Sequence, residues 1–205
     1  MYADYTVFAL LEETASNSPV PGGGSMAALG AAVAAGLSEM VANLTLGRRG
    51  FEPVQDEMAE IAEKAGGLRK KLLKDIDRDA LAYQTVMSAF KLPKTTESEK
   101  AHRREEIQCS LKNAAAVPLD VAEDALKIMA LAEAVVAGGN PNAVTDGAVG
   151  AMMARTAALS AILNVRINLQ SIKDDDFVRK MRAQVDALEK KVTLKEKKIL
   201  SRISL

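Results

Sequence analysis

The segment from Asp75 to Tyr83 carries acidic side chains that could move a proton. It reads Asp-Ile-Asp-Arg-Asp-Ala-Leu-Ala-Tyr. In a helix, Asp75, Asp79 and Tyr83 follow one another at intervals of four residues and share a face, whereas Asp77 lies on another face. A charged face of this kind is commonly solvated. If this face turns inward, burial shifts the pKa of the Asp79 carboxyl and makes it available for proton transfer.

A proline- and glycine-rich segment, residues 19–25, leads directly into an apolar helix. Consecutive glycines let the backbone approach a ligand closely, and N–H groups at a helix N-terminus favour an anion or a carbonyl oxygen. The alternative is a flexible turn capped by Ser25, but the entropy cost of three glycines favours a binding role. The candidate residues here are Pro21, Gly22, Gly23, Gly24 and Ser25.

Asparagines and two arginines form further candidate groups. After Gly139-Asn140-Pro141, Asn142 or Thr145 can cap the next helix and Asp146 suits its first turn, so a structural role explains this segment well by itself. Asn164 and Asn168 lie one turn apart on an otherwise apolar helix. Buried amides need partners, which are either a neighbouring helix or a ligand. Arg48-Arg49 fits a helix C-terminus or a clamp for phosphate or carboxylate.

The composition excludes several classes of function. The chain has 205 residues, with 27 basic and 27 acidic side chains and 3% aromatic residues. A neutral chain with few aromatics lacks the basic field and stacking surfaces of typical nucleic-acid binders. With one histidine, His102, and one cysteine, Cys109, the chain cannot build a Cys/His zinc site of three or four ligands. We therefore expect chemistry based on carboxylates, amides, hydroxyls, amines and backbone groups.

The sequence predicts a cytoplasmic protein without a membrane segment. No basic region precedes an apolar run at the N-terminus, which argues against a signal peptide. A single cysteine fits a reducing compartment. Residues 25–46 are long enough to span a bilayer, but they are rich in Ala and Gly and include Glu39 and Asn43, which favours a buried helix.

Helix signals dominate the chain, and strand signals are nearly missing. We predict six helices at about residues 2–15, 25–47, 54–90, 96–137, 142–171 and 174–203. Long helices with short connections indicate an all-α antiparallel bundle in a single domain, residues 1–205. The third helix would be about 55 Å long, against a diameter of about 43 Å for a compact globule. The bundle is therefore elongated, and protruding apolar faces favour a homodimer.

Three local features refine this outline. Gly66-Gly67 predicts a kink or a tight packing contact in the third helix. Thr96 and Glu99 have the spacing of a capping box at the start of the fourth helix. Pro118 lies inside that helix and is expected to bend it.

Taken together, these motifs resemble the cyclodeaminase/cyclohydrolase family of tetrahydrofolate enzymes. The likeness extends along nearly the whole chain, and the order and spacing of the motifs carry it. The motifs are Pro21-Gly22-Gly23-Gly24-Ser25, Asn43-Leu44-Thr45, Gly47-Arg48-Arg49, Asp77-Arg78-Asp79, Ala82-Tyr83, Leu92-Pro93-Lys94, Gly139-Asn140 through Asp146, Asn164-Val165 and Ile167-Asn168.

The resemblance implies an all-helical homodimer, a folate substrate and no metal or redox cofactor. Asp79 matches the acidic helix of the family best and is the expected acid/base, with Asp77 as the second catalytic candidate. The glycine-rich segment is expected to line the pocket, and Lys94 to meet the glutamate tail of the folate. The other expected binding residues are Tyr83, Asn140, Asn142, Asp146, Asn164 and Asn168.

Two reactions of this family need an anion at the same place. In the cyclodeaminase, N10 attacks the cationic formimino carbon on N5 and ammonia leaves; in the cyclohydrolase, water opens the cationic methenyl bridge. A carboxylate can stabilise either cation and shuttle the proton. Residues 47–52 (Gly-Arg-Arg-Gly-Phe-Glu) favour the cyclodeaminase. Cyclohydrolase is the alternative, and a non-catalytic folate-binding or scaffold protein is the second alternative.

Overall fold

The computed structural model describes residues 1–203, which fold into six α-helices and no strand. The helices are α1 (Val7–Thr14), α2 (Gly23–Asn43), α3 (Gln55–Phe90), α4 (Glu97–Gly138), α5 (Val144–Leu169) and α6 (Asp175–Leu200). Short 3-10 turns occupy Tyr2–Asp4, Glu52–Val54 and Pro141–Ala143. The all-α prediction is confirmed. At 42 residues, α4 is about 63 Å long, which confirms an elongated bundle.

Helix α2 lies at the centre of the bundle because its small side chains let other helices approach on several sides. It packs against α3, α4 and α5, and its alanines at 28, 31, 34 and 35 are fully buried. The spacing to α5 is close: a Cβ built on Gly150 would lie 3.4 Å from the carbonyl oxygen of Ala34. α2 runs antiparallel to α5, since Gly30 faces Ala157 and Gly23 faces Asn164.

The capping predictions hold at one helix start and fail at two others. The Thr96 hydroxyl accepts from the Glu99 N–H, and the Glu99 carboxylate accepts from the Thr96 N–H, so the predicted capping box is confirmed. Ser25 is not the N-cap of α2, because that helix begins two residues earlier with Gly22 as N-cap. α5 likewise starts without a side-chain cap, although Asp146 lies in its first turn as predicted.

Neither Gly66 nor Pro118 interrupts its helix. α3 and α4 continue through them. Gly66 makes the tight contact that the sequence predicted, since a Cβ there would lie 3.0 Å from Oε1 of Glu39. That carboxylate is paired with Arg69, whose Nε lies 2.7 Å from Oε2 of Glu39. The second glycine of the pair, Gly67, plays no comparable part.

Two segments are long and apolar enough to cross a bilayer by composition, Gly23–Asn43 and Pro141–Leu169. About half of each apolar window is buried inside the bundle, 56% and 50% respectively. Such burial is typical of the core helices of a bundle. Other apolar side chains of the two helices are exposed, among them Val33 and Met40 of α2 and Val149 and Met152 of α5.

Candidate functional site

A cavity of about 250 Å³ opens where the glycine-rich segment meets α3, α4 and α5. We call it the Asp79 cavity, because Asp79 is the only carboxylate among its lining residues in the described part of the chain. The residues that line it are Pro19, Val20, Gly22, Gly23, Gly24, Asp79, Ala82, Tyr83, Val86, Leu111, Ala114, Asn164 and Asn168.

The glycine-rich segment is held in place by its own hydrogen bonds. The Ser18 hydroxyl donates to the carbonyl oxygen of Val20 at 2.6 Å, and the Tyr2 hydroxyl donates to the same oxygen at 3.4 Å. The Met26 N–H donates to the carbonyl oxygen of Gly22, which closes the first turn of α2. The first N–H groups of this helix are thereby fixed beside the cavity, where they favour negative charge.

The Asp79 carboxylate lies against the first turn of α2. The Ser25 hydroxyl donates to Oδ2 of Asp79 at 2.8 Å. The approach requires glycine at position 24, because a Cβ there would lie 2.2 Å from Oδ1 and 2.8 Å from Oδ2. Burial raises the pKa of Asp79, and the hydrogen bonds from Ser25 oppose that rise. A half-buried carboxyl with a raised pKa holds its proton to higher pH than an exposed carboxyl does, which suits a group that transfers protons.

Asn164 and Asn168 present the oxygens of their amides to the cavity. Nδ2 of Asn164 donates to the carbonyl oxygen of Ser160 at 2.9 Å, and Nδ2 of Asn168 donates to that of Ala114 at 2.7 Å. Within residues 1–203, neither Oδ1 accepts a protein hydrogen bond, and neither is a buried unpaired atom. Both oxygens are therefore accessible acceptors for an N–H donor.

A second, mostly apolar groove of about 660 Å³ adjoins the Asp79 cavity. The two share Gly23 and Asn164. We call it the methionine groove, after Met26, Met152 and Met153. The remaining residues that line it are Ala27, Gly30, Val149, Thr156, Ala157, Ser160 and Leu163. A mostly apolar groove of this volume suits an apolar ring.

The structure does not bring Asp77 to the cavity. Its carboxylate accepts the backbone N–H groups of Tyr2 at 2.6 Å and Ala3 at 3.3 Å. The reason is its place on a different face of α3 from Asp79, which the spacing had indicated. Asp77 thus ties the start of the chain to α3.

Asn140, Asn142 and Asp146 lie at the opposite end of α2 from Asp79. Asn140 is buried, and its Nδ2 donates to the carbonyl oxygen of Leu44 at 3.3 Å, just beyond the end of α2. Its Oδ1 accepts from the Asn142 N–H. With 21 residues, α2 separates its two ends by about 30 Å. Asn142 is exposed and Asp146 half-buried, and neither lines the cavity or the groove.

The predicted basic residues are exposed. Arg48 and Arg49 lie in the turn after α2, between two glycines with positive φ, Gly47 and Gly50. They therefore share the distant end of α2 with Asn140. Lys94 lies in the connection between α3 and α4.

The apolar residues that line the Asp79 cavity and the methionine groove could not be predicted from the sequence. Val86 and Leu111 close the Asp79 cavity, and the three methionines line the groove, yet each is an ordinary core residue by type. Only the assembled bundle distinguishes them from other apolar side chains. In the described part of the chain, no group of three or more His, Cys, Asp or Glu side chains could hold a metal ion.

Known proteins are similar to this chain in sequence and in fold. Residues 6–187 match the family model described as formiminotransferase-cyclodeaminase. The chain is 37% identical over 188 residues to methenyltetrahydrofolate cyclohydrolase of Methylorubrum extorquens, which covers 92% of this chain and 90% of that protein. It is 34% identical over 185 residues to formimidoyltransferase-cyclodeaminase of Rattus norvegicus, covering 90% of this chain and 34% of that protein. The chain thus spans about a third of the rat protein.

The structural comparison agrees. The crystal structure of formiminotetrahydrofolate cyclodeaminase from Thermotoga maritima is similar to this chain with a TM-score of 0.89 and 29% sequence identity. The match covers 98% of this chain and 97% of that one. The likeness therefore extends to the whole bundle.

Proposed function

Because the chain belongs to the formiminotransferase-cyclodeaminase family and is an enzyme of folate one-carbon metabolism, we propose that the Asp79 cavity is its active site. We propose cyclodeaminase as the reaction: 5-formiminotetrahydrofolate closes to 5,10-methenyltetrahydrofolate and releases ammonia. The observation that carries this proposal is a half-buried carboxyl of raised pKa, Asp79, beside accessible amide oxygens. No cofactor is part of the proposal.

Asp79 is the proposed acid/base. The amidine carbon of the substrate is cationic, and an adjacent carboxylate lowers the energy of that cation. After N10 attacks this carbon, N10 carries a proton that must leave, and the amino group must gain one before it departs as ammonia. One carboxyl can accept the first proton and deliver the second, and its raised pKa favours the protonated form that delivers it.

The amide oxygens of Asn164 and Asn168 are proposed to accept N–H groups of the pterin. The p-aminobenzoyl ring would then occupy the methionine groove, which shares Gly23 and Asn164 with the cavity. Tyr83 lines the mouth with 39% of its surface exposed. We also propose that Lys94 contacts the glutamate tail of the folate. We propose no contact with the folate for Asn140, Asn142 and Asp146, whose role here is structural.

Cyclohydrolase is the second candidate. The relative with that name matches over 90% of its own length, whereas the rat cyclodeaminase matches over 34%. The same carboxylate would serve as general base for the water that attacks the methenyl carbon. The two reactions share a cation and a site, so substrate turnover must separate them.

The test uses the purified chain with each folate in turn. Formation of methenyl absorbance together with ammonia from 5-formiminotetrahydrofolate supports the cyclodeaminase. Loss of methenyl absorbance faster than spontaneous hydrolysis, without activity on the formimino compound, supports the cyclohydrolase instead. Asp79→Asn serves as the control for each activity. If the wild-type chain turns over neither substrate, the proposed function is wrong.

We further propose that two copies pair through the outer face of α2 and α5. Val33 and Met40 of α2 and Val149 and Met152 of α5 are exposed there, and apolar faces of this extent are typical of subunit interfaces. Pairing would also close the methionine groove. Sedimentation velocity should give a dimer for the wild type and a monomer for Val33→Glu; a wild-type monomer would refute this assembly.

A cytoplasmic location remains a prediction.

A further inference from the structure

Pro118 leaves one backbone carbonyl of α4 without its helical partner. Proline has no N–H, so the carbonyl oxygen four residues earlier, on Ala114, loses the usual i to i−4 hydrogen bond. Ala114 lines the Asp79 cavity, and both residues are buried. A buried carbonyl without a donor is costly, and it needs a partner from elsewhere in the protein.

Asn168 supplies that partner from α5. Its Nδ2 donates to the carbonyl oxygen of Ala114 at 2.7 Å. A carbonyl oxygen only accepts, so this bond decides which end of the amide faces α4. The other end, Oδ1, is accessible on the side of the cavity. Pro118 therefore determines which end of the Asn168 amide, the oxygen or the nitrogen, faces the cavity.

We propose that Pro118 is a positioning residue of the active site. By freeing the carbonyl of Ala114, it fixes the amide of Asn168 with its oxygen toward the ligand. Together with Oδ1 of Asn164, this makes a wall of two acceptors that favours a heterocycle edge bearing N–H donors over one bearing carbonyl oxygens. The identity of that heterocycle as the pterin of the substrate rests on the function proposed above.

Any other residue at position 118 would return an N–H to the helix. That N–H would draw the carbonyl of Ala114 back toward the helix axis, and the amide of Asn168 would be free to turn over. Nδ2 would then face the ligand in part of the molecules, where it opposes an N–H donor. Binding should weaken, while the helix itself should gain a hydrogen bond.

Pro118→Ala tests this separation. We expect KM to rise about fivefold, the factor that corresponds to one neutral hydrogen bond, with kcat within about twofold and a melting temperature equal to or above that of the wild type. The matched control is Val117→Ala, a neighbouring buried residue, which should lower the melting temperature without changing KM. A Pro118→Ala variant with wild-type KM would overturn the proposal.

A double-mutant cycle shows whether the proline acts through Asn168. Asn168→Ala alone should raise KM, and adding Pro118→Ala should raise it no further. An equal additional increase in that background would mean that Pro118 acts by another route.

NMR of the Asn168 side-chain amide, identified by its disappearance in Asn168→Ala, tests the same contact without any folate. In Pro118→Ala the signals should move toward those of a free amide, and unchanged signals would refute the role of Pro118. Failure of the folate assays with a positive NMR result would refute the proposed function alone.

Discussion

Gly24→Ala should disable the site while leaving the bundle folded. Glycine at this position lets the Asp79 carboxylate lie directly against the first turn of α2. An added methyl group would lie 2.2 Å from Oδ1, 2.7 Å from Cγ and 2.8 Å from Oδ2 of Asp79. An ordinary contact between carbon and oxygen needs roughly 3.3 Å. The carboxylate must therefore retreat by about 1 Å.

A displacement of this size is large for a group that transfers protons. A shift of about 1 Å in a catalytic group can lower the rate by roughly 100-fold. The fold should tolerate the change, because alanine is favoured over glycine in a helix by roughly 1 kcal/mol, which offsets part of the strain. We therefore expect kcat to fall by about 100-fold with a melting temperature near that of the wild type.

The control is Gly67→Ala in α3. Gly67 is also helical, and, apart from its chain neighbours and the nearby backbone of its own helix, a Cβ there would meet no atom of the described chain within 4 Å. This variant should keep wild-type kcat and gain roughly 0.5–1 kcal/mol of stability. Steady-state kinetics with the folate that the wild type turns over, together with thermal unfolding, measure both. Wild-type kcat in Gly24→Ala would refute the assignment of Asp79 as the reacting carboxyl.

Three further variants examine the carboxylates of α3. Asp79→Asn should lower kcat by about 10²–10⁴-fold without loss of stability at pH 7. Burial raises the pKa of this carboxyl. Between its ordinary and its raised pKa, the folded protein therefore binds more protons than the unfolded chain does. The stability of the wild type consequently falls as the pH rises through that range. Urea unfolding at pH 7 and at a pH below the ordinary carboxyl pKa measures the difference, and a less stable Asp79→Asn at pH 7 would contradict it. Ser25→Ala removes a hydrogen bond that lowers the pKa of Asp79, so the acidic limb of kcat/KM against pH should move to higher pH; a shift to lower pH would show that another group titrates. Asp77→Asn should cost about 1 kcal/mol of stability, because it weakens the bonds to Tyr2 and Ala3, with kcat within about twofold; a tenfold loss of kcat would return Asp77 to the catalytic candidates.

Local signals in the sequence predicted most of the fold. The capping box at Thr96 and the glycines and prolines between helices are recognised within a few residues. The helices lie close to those boundaries except the first, where a 3-10 turn at Tyr2–Asp4 precedes α1, which begins only at Val7. The same local logic placed Asp79 and Tyr83 on one face, since that relation depends only on helical periodicity. The structure brings both to a cavity with Asn164 and Asn168.

Residue type could not separate Asp79 from Asp77, or Asn168 from Asn140, and helical periodicity placed the two aspartates on different faces of α3 without showing which face lines a cavity. What distinguishes them is a distant partner: backbone N–H groups of the first residues for Asp77, and the carbonyl of Leu44 for Asn140. Contacts over such separations are fixed by packing of whole helices, which periodicity does not specify. Pro118 did carry a readable signal, a carbonyl without a donor four residues earlier, but its recipient on α5 emerged only from the fold.

The central position of α2 has a consequence for how the enzyme loses its activity on heating. One end of this helix borders the Asp79 cavity, which we propose as the active site, and its alanines pack it against three neighbouring helices. A segment held in this way does not open separately, unlike the mobile loops that carry many active sites. Catalytic activity and helical circular dichroism should therefore disappear together in one thermal transition, with no inactive intermediate that keeps its secondary structure.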